Sequence, residues 1–315
     1  MLVVGVDLGG IEVKAGLVDS EKGIVKKYIS KTEVSQGKEK VVKNICKAIE
    51  EVSKGYSFEA IGIGSPGSID RDSGIIRFSP NFPEWNDFDL GKKISEVFNK
   101  KVYIENDANA FTLGEWYFDK AKGCQNFITL TLGTGVGSGV VSNGTFITGA
   151  TGIGPELGHF PIVPDGRKCG CENNGCVESH CSSKSVANIA KEMICKYPES
   201  DILKLAGDIE SIESLHVFKA AEKGDFLAKD IIERTTEVLA RAIGGFIHVF
   251  NPELIVIGGG MSKAGDALFV PLRNKVLKYV MPSFRNTYKI EQSTLVENAG
   301  ILGAASAAFF GMKGE

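Results

Sequence analysis

Twice in this chain a β-rich run ends in a glycine turn, a second run follows, and a hairpin turn comes after it. Leu2 to Leu8 is continuous and ends at Asp7-Leu8-Gly9-Gly10. Val13 to Val18 comes next, and Asp19-Ser20-Glu21-Lys22-Gly23 has turn chemistry before Ile24 to Ser30 resumes. Phe127 to Leu132 starts the pattern again, through Gly133-Thr134-Gly135-Val136-Gly137, Ser138 to Ser142 and the hairpin pair Asn143-Gly144. Each copy reads as antiparallel strands. The parallel suggests a duplication, although glycine turns between strands are common and make it weak evidence alone.

The stretches around these copies alternate in type. Gly37 to Ser53 places Val41, Val42, Ile45, Ala48, Ile49 and Val52 at helical spacing, with Lys and Glu on the other face. Ala60 to Gly64 is a short buried strand running into Ser65-Pro66-Gly67, and a helix over Leu90 to Phe98 leads to the strand Val102 to Glu105 and Asn106-Asp107. A long helix is predicted over Phe226 to Val249, a strand over Leu254 to Ile257, and a small-residue helix over Asn298 to Phe310. The chain has 315 residues, 43% of them hydrophobic and 24% charged, enough for one large core or two ordinary ones.

Composition removes several function classes. Net charge is −3 and the lysine-rich stretches are broken by Glu, Val or Asn, so no nucleic-acid surface is expected. No apolar run approaches the roughly 20 residues of a membrane span. Met1 to Gly10 has no basic leader and reads as a strand, which points to the cytoplasm. Seven cysteines make an odd number, and Cys169, Cys171 and Cys176 crowd together with Cys181 close behind; that crowding favours metal binding over disulfides.

Three glycine turns carry the next expectation: Asp7-Leu8-Gly9-Gly10, Gly133 to Gly137, and Gly258-Gly259-Gly260. Glycine lets backbone N–H groups approach a phosphate closely, so such turns can cradle an anion. None has the lysine and hydroxyl residue of a P-loop, and none sits in a dinucleotide-binding βαβ unit. Asp7 beside the first turn would repel a nucleotide unless a cation such as Mg²⁺ lies between them. A carboxylate that merely caps the turn is the competing reading. His159, Cys169, Cys171 and Cys176 match the tetrahedral N/S preference of Zn²⁺, with no position left open for catalysis. On spacing alone Cys181 could replace His159.

Glu156-Leu157-Gly158-His159, followed by Cys169-Gly170-Cys171-Glu172-Asn173-Asn174-Gly175-Cys176-Val177-Glu178, resembles the E-x-G-H and C-x-C-G-x-x-G-C-x-E motifs of the ROK family of bacterial sugar kinases and repressors. Asp7-Leu8-Gly9-Gly10 is similar to its first phosphate motif, Leu132 to Gly137 to its second, and Ile257 to Gly260 to its adenosine motif. The resemblance covers essentially the whole chain. It implies an actin/hexokinase-like (ribonuclease H-like) duplicated fold of two α/β domains around a cleft, each on a five-stranded mixed sheet. The expected domains are 1–107 with 299–315, and 108–298 carrying the metal loop.

The resemblance also implies roles. Asp107 is the expected catalytic base, with Ser65, Pro66, Gly67, Asn106, Glu156, His159 and Glu178 around the sugar. Asp7, Gly9, Gly10, Lys14, Gly133, Thr134, Gly135, Gly137, Gly258, Gly259 and Gly260 are expected at ATP and Mg²⁺. Structural Zn²⁺ is assigned to His159, Cys169, Cys171 and Cys176, leaving Cys181 a bystander. The activity implied is ATP-dependent phosphorylation of a hexose at its 6-hydroxyl, with Glu156, His159 and Glu178 favouring glucose, in a homodimer or homotetramer. Family repressors place a helix-turn-helix ahead of the first phosphate motif; here that motif begins at Asp7, which argues for the kinase. Two departures stand out: Ile11 where Thr is usual, and Glu172 where Gly is usual. Asp107 is also placed to cap a helix over Ala108 to Tyr117.

Overall fold

Alternation in the first strand sets the layering of the first unit. In β1 (Leu2–Leu8), Val4, Val6 and Leu8 face one core and Val3 faces another, as period-2 geometry requires of a strand buried on both sides. The computed structural model describes residues 1–314. They divide into two units: Met1–Gly123 with Thr148–Gly154 and the segment from Thr294 onward, and Cys124–Ile147 with Pro155–Ser293.

The first unit continues through β2 (Glu12–Asp19), β3 (Gly23–Lys31), α1 (Lys38–Ser53), β4 (Ala60–Ser65), β5 (Ser68–Asp70), β6 (Ile75–Phe78), β7 (Asn86–Asp89), α2 (Leu90–Phe98), β8 (Lys101–Asn106) and α3 (Asp107–Phe118). Its main sheet has the order β3-β2-β1-β4-β8, antiparallel on the β2 side and parallel from β1 to β8. Val41, Ile45, Ala48, Ile49 and Val52 of α1 cover one face, the face read from the sequence. The C-terminal helix, Ala299–Lys313, covers the other and also packs on α3. That helix is buried almost all round, which its run of Ala and Gly permits. A Cβ at Gly62 of β4 would lie 1.8 Å from the Ala304 carbonyl oxygen, so only glycine allows this approach. A small second sheet, β5-β6-β7, adds a layer that the sequence reading left unassigned.

The second unit repeats the pattern. It contains β9 (Phe127–Leu132), β10 (Val136–Ser142), β11 (Thr145–Phe146), α4 (Val177–Cys181), α5 (Ser183–Met193), α6 (Asp201–Ala206), α7 (Ser214–Glu222), α8 (Phe226–Phe250), β12 (Leu254–Gly258), α9 (Asp266–Val276) and β13 (Lys289–Gln292). The order β11-β10-β9-β12-β13 is again antiparallel on one side and parallel on the other. The two glycine turns, after Leu8 and after Leu132, join the first two strands of each sheet. The core gathers Ile128, Leu130, Ile255 and Ile257 of the sheet with the apolar stripe of α8. No helix among the described residues is long and apolar enough to cross a membrane.

Candidate active site

In the first unit, parallel pairing brings the predicted residues to one sheet edge. β1, β4 and β8 run the same way, with Asp7 opposite Gly64 and Ser65 opposite Asn106, so their C-terminal ends lie side by side. Ligands of α/β sheets bind outside such strand ends. Gly9 and Gly10 follow at the β1–β2 turn, where Gly9 N–H donates to the Glu12 carbonyl at 2.9 Å. Ile11 is 83% exposed at the turn's tip, so this departure from the family pattern has no core role. Lys14 pairs with Asp7 across β1 and β2 and reaches Glu12 at 3.6 Å.

Asn106 is the pivot of this edge. Its Oδ1 accepts the N–H groups of Ala108 and Asn109 at 2.9 and 3.3 Å, and its Nδ2 donates to the Gly67 carbonyl at 3.1 Å. The cap of α3 is therefore Asn106 and not Asp107, correcting the expectation from sequence. Asn106 has the extended backbone of a capping residue (φ −58°, ψ 147°), whereas Asp107 is already helical and its side chain accepts the N–H of the adjacent Ala108, at 2.9 Å. Gly67 itself is held at φ +116°, with Phe78 so close that a Cβ there would lie 2.1 Å from its carbonyl oxygen. Ser65 is buried, and Pro66 and Gly67 are half-buried.

Two carboxylates at this edge are poised alike. The Asp107 side chain reaches solvent, yet the protein around it pushes its carboxyl above the usual range, and the negative charge of Asp7 adds to the rise. Asp7 is also raised by burial, with Lys14 opposing and Glu12 adding. A cation between phosphate and Asp7 suits such a group, and a raised carboxyl at Asp107 suits a general base.

The second unit assembles the remaining residues. Glu156 precedes a short 3-10 turn, Leu157–His159, which lies on the start of β10. Ser138 Oγ fixes it, donating to the Pro155 carbonyl and accepting the Leu157 N–H, both at 2.9 Å. Gly158 is required there, since a Cβ would lie 2.0 Å from the Val136 carbonyl oxygen. Glu178 sits in α4, and its Oε2 accepts the Val136 N–H at 2.9 Å inside the second glycine turn. Ser183 donates both its N–H (2.8 Å) and its hydroxyl (2.6 Å) to the Gly133 carbonyl. Thr134 is exposed at the tip of this turn, and Gly137 pairs with Thr131. Gly258 pairs with Thr131, and Gly259 (φ +84°) passes so close to Leu132 that a Cβ would lie 2.6 Å from its backbone. Gly260 opens the 3-10 turn that follows. The Gly133–Gly137 turn and the Gly258–Gly260 turn thus meet at the end of β9.

His159, Cys169, Cys171 and Cys176 form one cluster. His159 Nδ1 is 3.5 Å from Cys169 Sγ, Cys171 Sγ is 3.6 Å from Cys176 Sγ, and all four ligand atoms lie within 4.8 Å of one another. A tetrahedral zinc with Zn–S of about 2.3 Å has ligand edges of about 3.5–3.8 Å, so the donor set and its spread fit such an ion. The Asn173 N–H favours the Cys171 thiolate, while burial and the two neighbouring thiols push Cys176 up to about 12. Cys181 is wholly buried away from the cluster and points its thiol at the Thr235 carbonyl, as expected of a bystander. Glu178 Oε1 is 3.7 Å from Cys169 Sγ, so cluster, acid and glycine turn are contiguous.

Sequence reasoning missed three supports. Ser138 and Ser183 carry no local signal. Glu105 had one: a carboxylate ending the strand run just before Asn106-Asp107. It is buried, and its Oε1 accepts the Asn106 N–H and Asn109 Nδ2 at 3.0 and 2.9 Å.

Comparison with known proteins places this geometry. The model of the ROK family matches residues 3–309. A glucokinase of Thermotoga maritima is 49% identical over 304 residues, covering 96% of both chains. A ROK family glucokinase from Streptomyces griseus, solved in complex with glucose and AMPPNP, has a TM-score of 0.83 at 32% identity over 97% of this chain and 98% of that one. The ROK hexokinase of Thermus thermophilus has a TM-score of 0.87 at 30% identity over the whole of both chains. The duplicated actin/hexokinase-like fold expected from the sequence is borne out by these likenesses.

Proposed function

Because the chain belongs to the ROK family, we propose that it is an ATP-dependent hexose kinase that transfers the γ-phosphoryl group of ATP to the 6-hydroxyl of glucose. The observation that carries this reading is the 49% identity, over 96% of both chains, to a glucokinase. The Streptomyces griseus relative, solved with glucose and a nucleotide analogue, supports both substrates.

In this reading Asp107 takes the proton of the sugar 6-hydroxyl as its oxygen attacks the γ-phosphorus and ADP leaves. Asn106, Glu156, His159, Glu178 and the backbone of Ser65-Pro66-Gly67 hold the sugar hydroxyls. Gly9, Gly10, Gly133, Thr134, Gly135 and Gly137 present backbone N–H groups to phosphate, Lys14 adds charge, and Gly258, Gly259 and Gly260 make room for adenosine. Bound Mg²⁺ beside Asp7 would neutralise phosphate charge. Zinc held by His159, Cys169, Cys171 and Cys176 would have a structural part, orienting the His159 ring and fixing the loop that leads to Glu178. A reducing cytoplasm suits those thiolates.

The test is a coupled ADP-release assay with Mg-ATP against glucose, mannose, fructose, allose, glucosamine, N-acetylglucosamine and N-acetylmannosamine. A dominant kcat/KM for glucose bears the reading out. A different winner moves the substrate and keeps the chemistry, and no turnover by zinc-loaded protein with any of them ends the kinase reading.

A further inference from the structure

The buried acid beside the sugar edge is held by a residue 34 positions away. Glu105 is 2% exposed at its side chain, and its carboxylate meets Arg71 Nε at 2.5 Å. Arg71 lies in the turn between β5 and β6, its side chain 37% exposed on a cleft of about 930 Å³ that Lys101, Tyr103 and Phe310 also line. The acid is thus dry and the guanidinium hydrated. Burial pushes the Glu105 carboxyl up, and Arg71 is the leading influence pulling it back.

The contacts close a circuit. Glu105 Oε1 fixes the backbone of Asn106 and the side chain of Asn109. Asn106 Nδ2 in turn holds the Gly67 carbonyl, and Gly67 leads directly into the β5–β6 hairpin that carries Arg71. The hairpin is anchored independently: Arg77 of β6 pairs with Asp70 at 2.6 Å and Asp87 at 2.9 Å. A buried carboxylate that loses its cation either takes up a proton or moves toward water. Protonation weakens the acceptor of the Asn106 N–H and a move toward water removes it, so either change loosens the groups that face the sugar.

We propose that Arg71 is a positioning residue for the sugar, acting through Glu105 to set the backbone of Asn106 and the Gly67 carbonyl. The inference rests on the hexose-kinase reading and assigns a role that none of the residues named above shares. It makes an asymmetric demand on kinetics, because Asp7 and Gly9 do not touch the circuit. Sugar binding should suffer while nucleotide binding does not.

The experiment compares the wild-type protein with Arg71→Met, Glu105→Gln and the double variant in the hexose assay, with thermal melts of each. Arg71→Met should raise the sugar KM about tenfold or more with the Mg-ATP KM within about twofold, since removing one partner strands a buried charge. The double variant should recover most of that loss, because a carboxamide needs no cation and keeps an oxygen for Asn106 and Asn109. A sugar KM within twofold of wild type in Arg71→Met overturns the proposal. So does a rise shared equally by both substrates, or a double variant no better than Arg71→Met when Glu105→Gln alone binds sugar normally. Should the wild type turn over no hexose, the kinase reading fails by itself; calorimetric sugar affinity of the same four proteins then decides the positioning role by the same comparison.

Discussion

Glu178 accepts the Val136 N–H at 2.9 Å, so an acid assigned to the sugar is bonded to the turn assigned to phosphate. A Cβ at Gly135 would lie 2.5 Å from Glu178 Oε2, close enough to displace it. Gly135→Ala is therefore expected to weaken both ligands. Calorimetric titration with glucose in the absence of nucleotide should show affinity lowered about tenfold, or about 1.4 kcal/mol. By linkage, any preference of nucleotide for the sugar-bound protein should shrink by the same factor from either direction. Unchanged glucose affinity with weakened nucleotide alone would show that the carboxylate does not connect the two.

Asp107→Asn separates catalysis from stability. In its proposed role as base Asp107 must be ionised to work, and its carboxyl is raised by the surrounding protein and by Asp7. The acid limb of log kcat/KM against pH should accordingly lie above the ordinary aspartate range of about 3.9. An acid whose folded pKa is raised costs the fold stability as pH climbs through that value, since the native state then binds more protons than the unfolded one. The Asn variant should lose activity by several orders of magnitude while melting slightly higher than wild type at neutral pH, because the amide oxygen can still accept the Ala108 N–H. Near-wild-type turnover removes Asp107 from the mechanism; a markedly lower melting point would make lost activity a folding effect.

Much of this site is legible in the sequence because its parts are local. The two sheet halves announce themselves as apolar runs broken by glycine turns, and α8, read as Phe226 to Val249, spans Phe226–Phe250. The four candidate metal ligands sit within eighteen residues and emerge within 4.8 Å of one another. What stayed hidden depends on partners far along the chain. Arg71 and Glu105 carry no shared pattern, and Ser183 finds Gly133 across 50 residues. The β5-β6-β7 sheet escaped because its strands are three or four residues long, too short for an alternation to register. Asn106 and Asp107 are both good cap formers, and only the backbone dihedrals decide between them.

Metal removal tests the cluster and the loop it closes. Structural zinc contributes apparent folding energies of about 10 kcal/mol in small domains. The loop from Pro161 to Cys176 carries no regular strand among the described residues; it is otherwise held by isolated bridges at Pro161–Cys176 and Lys168–Asn174, a few backbone bonds such as Cys169 N–H to the Asn173 carbonyl, and the Arg167–Glu192 ion pair. Metal analysis of protein purified without chelator should give one zinc per chain. Chelation should lower the melting point by about 10 °C or more and abolish sugar binding through His159 and Glu178, with both restored by Zn²⁺. Cys171→Ala should behave like the chelated protein. Sub-stoichiometric zinc together with an unchanged melt after chelation would reduce the cluster to buried thiols.

The departure at Glu172 has a backbone consequence. Its φ is +72°, in the left-handed region where a side chain is strained, which gives a physical reason for the glycine usual at this position. Its N–H donates to the Cys169 carbonyl at 3.1 Å and its carbonyl accepts the Lys168 ammonium, so the backbone is held in this conformation from both sides. Glu172→Gly keeps both bonds and removes the strain of about 1 kcal/mol, part of which is returned as the greater freedom of glycine in the unfolded chain. The zinc-loaded variant should melt about 1–3 °C higher, with sugar and nucleotide KM unchanged. A lower melting point would mean that the Glu172 side chain itself supports the loop, and that the left-handed backbone is not what this position costs.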